Sequence, residues 1–200
     1  MSERICVFGS SIGYGHNDSE CGGWCDRLKL YFFSSNKDVS VYNLSISGDM
    51  SKDVVDRFDV EYKARRPEVV LIAIGINDST FDENINRCRI SLKDTEKNIK
   101  QLVSMTKLGG SKIVLVGLTS VTEKLVMPVS WALNLSYSNE NIKKYDSVIK
   151  GVAKDNNVPY CYMYDLLQDE DFDDGLHPNT DGHRKMFERI RDFLVENNIV

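Results

Sequence analysis

The sequence predicts an α/β fold, a doubly wound three-layer α/β/α sandwich built on a parallel sheet of about five strands. Three observations carry that expectation. Four short, continuous apolar runs, Ile5–Phe8, Val69–Ile74, Ile113–Val116 and Pro159–Met163, have the make-up of strands buried on both faces. Segments with helical spacing separate them, and such alternation builds βαβ units. The 200 residues hold no internal repeat, low-complexity tract or Pro/Gly/Ser-rich linker, so 1–200 reads as one domain with room for a full core.

In chain order, Arg4-Ile5-Cys6-Val7-Phe8 reads as a strand running into a glycine turn. Trp24, Leu28, Tyr31 and Phe32 then recur at helical spacing. Val39–Leu44 alternates and is a weaker fifth strand. Ser51 is placed to cap the next helix and Asp53 to suit its first turn, with Val54, Phe58 and Tyr62 as the apolar stripe. Beyond Val69–Ile74, a stripe of Leu92, Ile99, Leu102, Val103 and Thr106 predicts a helix that Gly109-Gly110 stops. Ile142, Tyr145, Val148, Ile149 and Val152 mark the helix before Pro159–Met163. Met186, Phe187, Ile190, Phe193 and Leu194 mark the last one. Each stripe reads as core. Two connections are long: 79–90, which is polar, and 119–139, which carries Met127, Pro128, Trp131 and Tyr137. Long loops at the ends of parallel strands are where ligands sit.

A net charge of -5 argues against nucleic-acid binding, which needs clustered cations. The nearest approach to a basic cluster, Lys63, Arg65 and Arg66, reads as the solvated end of a helix. The longest apolar stretch, Val69–Ile74, is far below the ~18 residues of a membrane span. With a strand starting at Arg4 there is no room for a secretory leader, so a cytoplasmic location is expected. Five cysteines are an odd number, and Cys21 and Cys25 have neither a second pair nor a nearby histidine to complete a zinc set. Free thiols are expected, and no metal or cofactor.

In open α/β sheets the functional crevice lies beyond the carboxyl ends of the strands, so reactive residues should follow the apolar runs. Gly9-Ser10-Ser11-Ile12-Gly13-Tyr14-Gly15 follows the first, Ser45-Ile46-Ser47-Gly48-Asp49 the second and Gly75-Ile76-Asn77-Asp78 the third. Asp174-Gly175-Leu176-His177-Pro178 follows the fifth. These are the parts acyl transfer needs. A serine hydroxyl requires a base, imidazole is the usual one near neutral pH, and a carboxylate must fix the imidazole tautomer. N–H donors must then meet the developing oxyanion. Ser11, His177 and Asp174 fill the first three roles, and donors near Ser11, Gly48 and Asn77 the fourth. Asp173 competes with Asp174, but the i, i+3 relation to His177 favours the latter. Asp78 reads as a structural acceptor at a strand end, His16 as an exposed loop residue that can approach the site, and His183 as a surface position on the last helix. Ile12, Tyr14, Met127, Trp131 and Leu176 are candidates for the substrate pocket.

Gly9 to Gly13 literally matches the Gly-x-Ser-x-Gly nucleophile elbow of α/β-hydrolases, but such an elbow follows several strands and here the serine follows the first. The glycine spacing matches neither a dinucleotide-binding nor a Walker loop, which argues against a nucleotide or flavin protein. The arrangement instead resembles the SGNH (GDSL-like) hydrolase superfamily across essentially the whole chain. Phe8 to Gly15 is similar to the first block, with Ser11 as nucleophile; Gly48 stands at the glycine of the second. Gly75-Ile76-Asn77-Asp78 is similar to the third, and Asp174 to Asn179 to the last. The resemblance implies the flavodoxin-like fold of that superfamily, a triad of Ser11, Asp174 and His177, an oxyanion hole from Ser11, Gly48 and Asn77, and hydrolysis of a small-molecule carboxylic ester (short acyl, acetylated sugar or lipid) through an acyl-enzyme. Ser10 replaces the family's usual aspartate, which bears on the rigidity of the nucleophile turn. The alternative is a catalytically weak binding module for an acylated ligand on the same scaffold.

Overall fold

The structure is a computed structural model, describing residues 3–35 and 38–200. Strand β1 (Glu3–Gly9) leads into a single helical turn, α1 (Ser11–Tyr14), and then α2 (Trp24–Ser34). Next come β2 (Val39–Asn43), α3 (Ser51–Arg65) and β3 (Val69–Ala73). Two short strands, β4 (Phe81–Asp82) and β5 (Arg87–Cys88), precede α4 (Leu92–Leu108) and β6 (Lys112–Val116). The remainder is α5 (Glu123–Val126), β7 (Leu135–Ser136), α6 (Asn139–Asp155), β8 (Tyr160–Cys161) and α7 (Thr180–Glu196).

Five strands form one parallel sheet in the order β2-β1-β3-β6-β8. The chain leaves β1 in both directions, to β2 on one side and β3 on the other. With right-handed crossovers this reversal puts α2 and α3 on opposite faces and opens a crevice beyond the carboxyl ends of β1 and β3. Helix α2 packs on α7, and α4 packs on both α3 and α6, giving the two helical layers. The central strands are apolar because they have no solvent face: Ile5, Val7, Val69, Val70 and Leu71 are fully buried. No helix among the described residues is long and apolar enough to cross a membrane.

The expected helices form, with their stripes inward except for Leu92, which as the first residue of α4 stays exposed. Ser91, Ser138 and Asn179 cap α4, α6 and α7 by accepting from backbone N–H groups three residues on. The expected cap at Ser51 is corrected. Ser51 is the first helical residue, and it is Asp53 that accepts from the Met50 N–H, at 2.9 Å. Ser51 instead donates its N–H to Asp78 and accepts on its hydroxyl from Asn98. The run Pro159–Met163 contributes only Tyr160–Cys161, because this edge strand meets β6 at just two positions, Leu115 and Val116. The two long connections are not plain loops. Their strands β5, β4 and β7 pair into a small antiparallel sheet, with Phe81 opposite both Cys88 and Ser136. The five cysteines are unpaired, and Cys6, Cys25 and Cys161 are buried.

Candidate active site

Ser11 opens the helical turn straight after β1, so its hydroxyl and its own N–H face the crevice rather than the sheet. Gly13 makes the tight turn possible: a Cβ there would collide with the Ser45 hydroxyl of the neighbouring strand's exit loop. The same loop is tied back by Asn43 Nδ2, which donates to the Gly13 carbonyl at 3.0 Å, and by the Ile46 N–H to the Gly9 carbonyl at 3.1 Å. At its tip Gly48 has a φ of 87°, a left-handed conformation that favours glycine, and open space where a side chain would stand.

Across the crevice, the 174–177 turn is folded around one carboxylate. Asp174 Oδ1 accepts from the N–H groups of Leu176 (2.9 Å) and His177 (2.7 Å). Its Oδ2 lies 2.7 Å from His177 Nδ1. Burial alone would raise the Asp174 pKa, but these hydrogen bonds, the His177 ring first, outweigh it and hold the value at about 2. An ionised acceptor at Nδ1 requires that nitrogen to carry the proton, leaving Nε2 as the acceptor. Nε2 lies 2.9 Å from Ser11 Oγ, across 166 positions of sequence. Serine, imidazole and carboxylate are thus in hydrogen-bonded line, the arrangement in which a base can take a hydroxyl proton. Asp173 takes no part through its carboxylate; its N–H donates to the His177 carbonyl.

Asn77 is buried and its amide is oriented from both ends. Nδ2 donates to the Asp49 carbonyl at 2.9 Å, and Oδ1 accepts from the Tyr137 hydroxyl at 2.9 Å. One amide hydrogen remains for the cleft. The N–H groups of Ser11 and Gly48 have no acceptor among the described residues. Ser11, Gly48, Asn77 and His177 line one cleft of about 380 Å³. Asp78, beside Asn77, is a structural acceptor: its buried carboxylate takes the Ser51 N–H at 2.8 Å and the Thr95 hydroxyl at 2.7 Å.

Of the expected pocket residues, Trp131 and Leu176 line this cleft. Three do not. Ile12 turns inward, buried beside Ser10 and Trp24 at a separate apolar cavity of about 30 Å³. Tyr14 is exposed on the far side of the nucleophile turn, with Gly15 and Asp26. Met127 is exposed outside the cleft, before a cis peptide to Pro128. Their signal was apolarity beside the serine or on the 119–139 connection, and it does not distinguish crevice-facing positions from buried or outward ones. Sequence reasoning missed Ser47, Arg89, Leu135 and Tyr137 as lining residues, because the pairing of the two long connections is what brings the last three in. His16 is exposed, as expected, yet its ring centroid is 4.4 Å from that of His177. With Asp174 the two histidines offer atoms within 4.8 Å of one another, a donor set with the chemistry to hold a metal ion. His183 corrects the expectation of a surface position: it is fully buried, accepting from the Trp24 N–H at 3.3 Å and facing the His16 carbonyl at 2.9 Å.

A serine–imidazole–carboxylate line at the carboxyl edge of a parallel α/β sheet, with unpaired N–H groups beside the serine, defines a hydrolase of the serine class. Residues 7–185 match the GDSL-like Lipase/Acylhydrolase family, and the chain belongs to it. It is an esterase/acylhydrolase of the SGNH type. Curated relatives include "Thioesterase 1/protease 1/lysophospholipase L1" of Escherichia coli (strain K12), 24% identical over 90% of this chain and 77% of that protein. "Arylesterase" of Vibrio mimicus is 24% identical over 98% of this chain and 90% of its own length. Among solved structures, the lipase/acylhydrolase from Enterococcus faecalis superposes with a TM-score of 0.78 at 21% identity, covering 98% of this chain and 96% of that one. A catalytic mutant of Axe2, an acetylxylan esterase from Geobacillus stearothermophilus, gives 0.77 at 19% identity, covering 96% and 94%.

Proposed function

We propose that the protein hydrolyses a small carboxylic ester through an acyl-enzyme on Ser11. The observation that carries this is the 2.9 Å approach of His177 Nε2 to Ser11 Oγ, with Asp174 on the other ring nitrogen. Ser11 Oγ attacks the ester carbonyl carbon while its proton passes to His177 Nε2. The negative oxygen that forms is met by the N–H groups of Ser11 and Gly48 and by the free amide hydrogen of Asn77. Asp174, ionised well below neutral pH, stabilises the imidazolium. When the tetrahedral species collapses, His177 returns the proton to the departing alcohol. Water then attacks the acyl-enzyme by the same route and releases the acid and free Ser11.

A small substrate suits the cleft. At about 380 Å³, bounded by Trp131, Leu135 and Leu176, it has room for a short acyl group or one sugar-sized unit beside the serine. The names of the relatives, an arylesterase and an acetylxylan esterase among them, support short-chain esters as the first substrates to try. On a 4-nitrophenyl ester of a short acid, Ser11→Ala is expected to lower kcat by about 10³-fold or more. Near-parental turnover by that variant would remove Ser11 as nucleophile.

A further inference from the structure

Ester hydrolysis leaves one charged group of the cleft unused. Arg89 lines it, half-buried, and among the described residues is the only lysine or arginine that does. Among the described residues its guanidinium has no carboxylate within ion-pair distance and no hydrogen-bond acceptor. Other half-buried arginines of this chain are paired: Arg27 with Asp18, Arg57 with Asp49, Arg65 with Glu61. Asp174, the one carboxylate of the lining, is already engaged by His177. Its guanidinium nitrogens are open to the cleft and without a counter-charge, so they are free to meet an anionic group of a bound ligand.

Arg89 is also held in place. It follows the β4–β5 hairpin, and its N–H donates to the Thr80 carbonyl at 2.9 Å. The next residue, Ile90, donates to the Asp78 carbonyl at 3.3 Å and accepts on its own carbonyl from the Tyr145 hydroxyl. Burial raises the pKa of Tyr137, and the Thr80 hydroxyl and then the Arg89 charge oppose that rise. Tyr137 in turn donates to Asn77 Oδ1. Arg89, Tyr137 and Asn77 line the same cleft, so the cation shares the space in which an ester bound at Ser11 would lie.

We propose that Arg89 forms an anion subsite, and that the ester this enzyme cleaves carries a carboxylate or phosphate group beside the scissile bond. The proposal rests on Ser11 being the nucleophile. A guanidinium presents a planar fork of donors that fits the paired oxygens of either anion. The anion can reside on the acyl side or on the alcohol side, and two substrate pairs distinguish these. For the acyl side, 4-nitrophenyl acetate is compared with the 4-nitrophenyl monoester of succinic acid. For the alcohol side, methyl 4-acetoxybenzoate is compared with 4-acetoxybenzoate.

Each kcat/KM is divided by the hydroxide-catalysed rate of the same ester. The parent enzyme is expected to favour the anionic member of one pair by about 10-fold or more, as one charge-assisted contact supplies. Arg89→Gln should reduce that anionic-to-neutral ratio by about 10-fold, Arg89→Lys should keep part of it, and salt should erode it in the parent. The pair that shows the preference identifies which side carries the anion. No preference in either pair, or a ratio unchanged in both Arg89 variants, overturns the subsite. An equal loss on neutral and anionic members also overturns it, since that marks a role at the oxyanion. Ser11→Ala, run on all four esters, separates the two readings: if it turns over normally, the nucleophile assignment has failed, whatever the ratios show.

Discussion

At the residue scale, the site depends on carboxylates that stay ionised because of what surrounds them. Asp174 is one. Asp18 is the other, and it is structural. Its buried carboxylate accepts from the N–H groups of Glu20, Cys21 and Gly23, from the Arg27 guanidinium and from the Thr180 hydroxyl. It thereby fastens the loop after the nucleophile turn to α2 and to the start of α7. Burial opposes the charge, but the Arg27 and backbone hydrogen bonds prevail and bring the pKa to about 2. An unfolded aspartate titrates near 3.9, so Asp18 contributes stability in full above that value and loses it as pH falls toward 2. The difference is worth roughly 2–3 kcal/mol. Asp18→Asn should therefore unfold at lower urea than the parent at pH 6, and the gap should close between about pH 4 and pH 2. A gap of constant size down to pH 2 would mean that the charge is not what this residue supplies. Nothing in the sequence marked Asp18 out. Its acceptor role is created by a loop that folds around it, with no periodicity to betray it.

At the element scale, the expected strands and helices were legible because burial on one or two faces leaves a period in the sequence. The residues gathered at the candidate site were legible for a related reason: parallel strands deliver their following residues to one edge. What escaped was the antiparallel sheet of β4, β5 and β7. Two-residue strands carry no alternation, and their partners lie in different connections, as Phe81 does with Ser136. That pairing has a chemical consequence. It carries Tyr137 to Asn77, where the phenol's hydroxyl fixes the amide. Asn77→Ala removes the proposed oxyanion donor and should lower kcat by roughly 10²–10³-fold. Tyr137→Phe leaves the donor present but free to rotate, so it should lower kcat by a smaller factor, about 10-fold, with little change in KM. Parental kcat in Tyr137→Phe would show that Asp49 alone orients the amide. His183 escaped for the opposite reason. Its place inside the last helix, off the apolar stripe, reads as surface, whereas the ring is enclosed by Trp24 and the His16 loop.

At the scale of the whole molecule, function depends on topology more than on any one motif. The first strand's exit supplies a hydroxyl, the second and third supply N–H donors, and the segment after the last supplies the imidazole. Only a sheet that reverses direction at β1 gathers these at one crevice. The replacement of the family's aspartate by Ser10 leaves this gathering intact, since Ser10 is buried beside Ile12 and Trp24, behind Ser11. The most direct test uses a fluorophosphonate, which bonds covalently far faster to a serine whose proton has a base to receive it. Peptide mapping of the treated native protein should find one adduct, on Ser11, formed faster than on the same protein unfolded in denaturant. Treated native protein with Ser11 unmodified, or labelled no faster than its surface serines, would contradict the account.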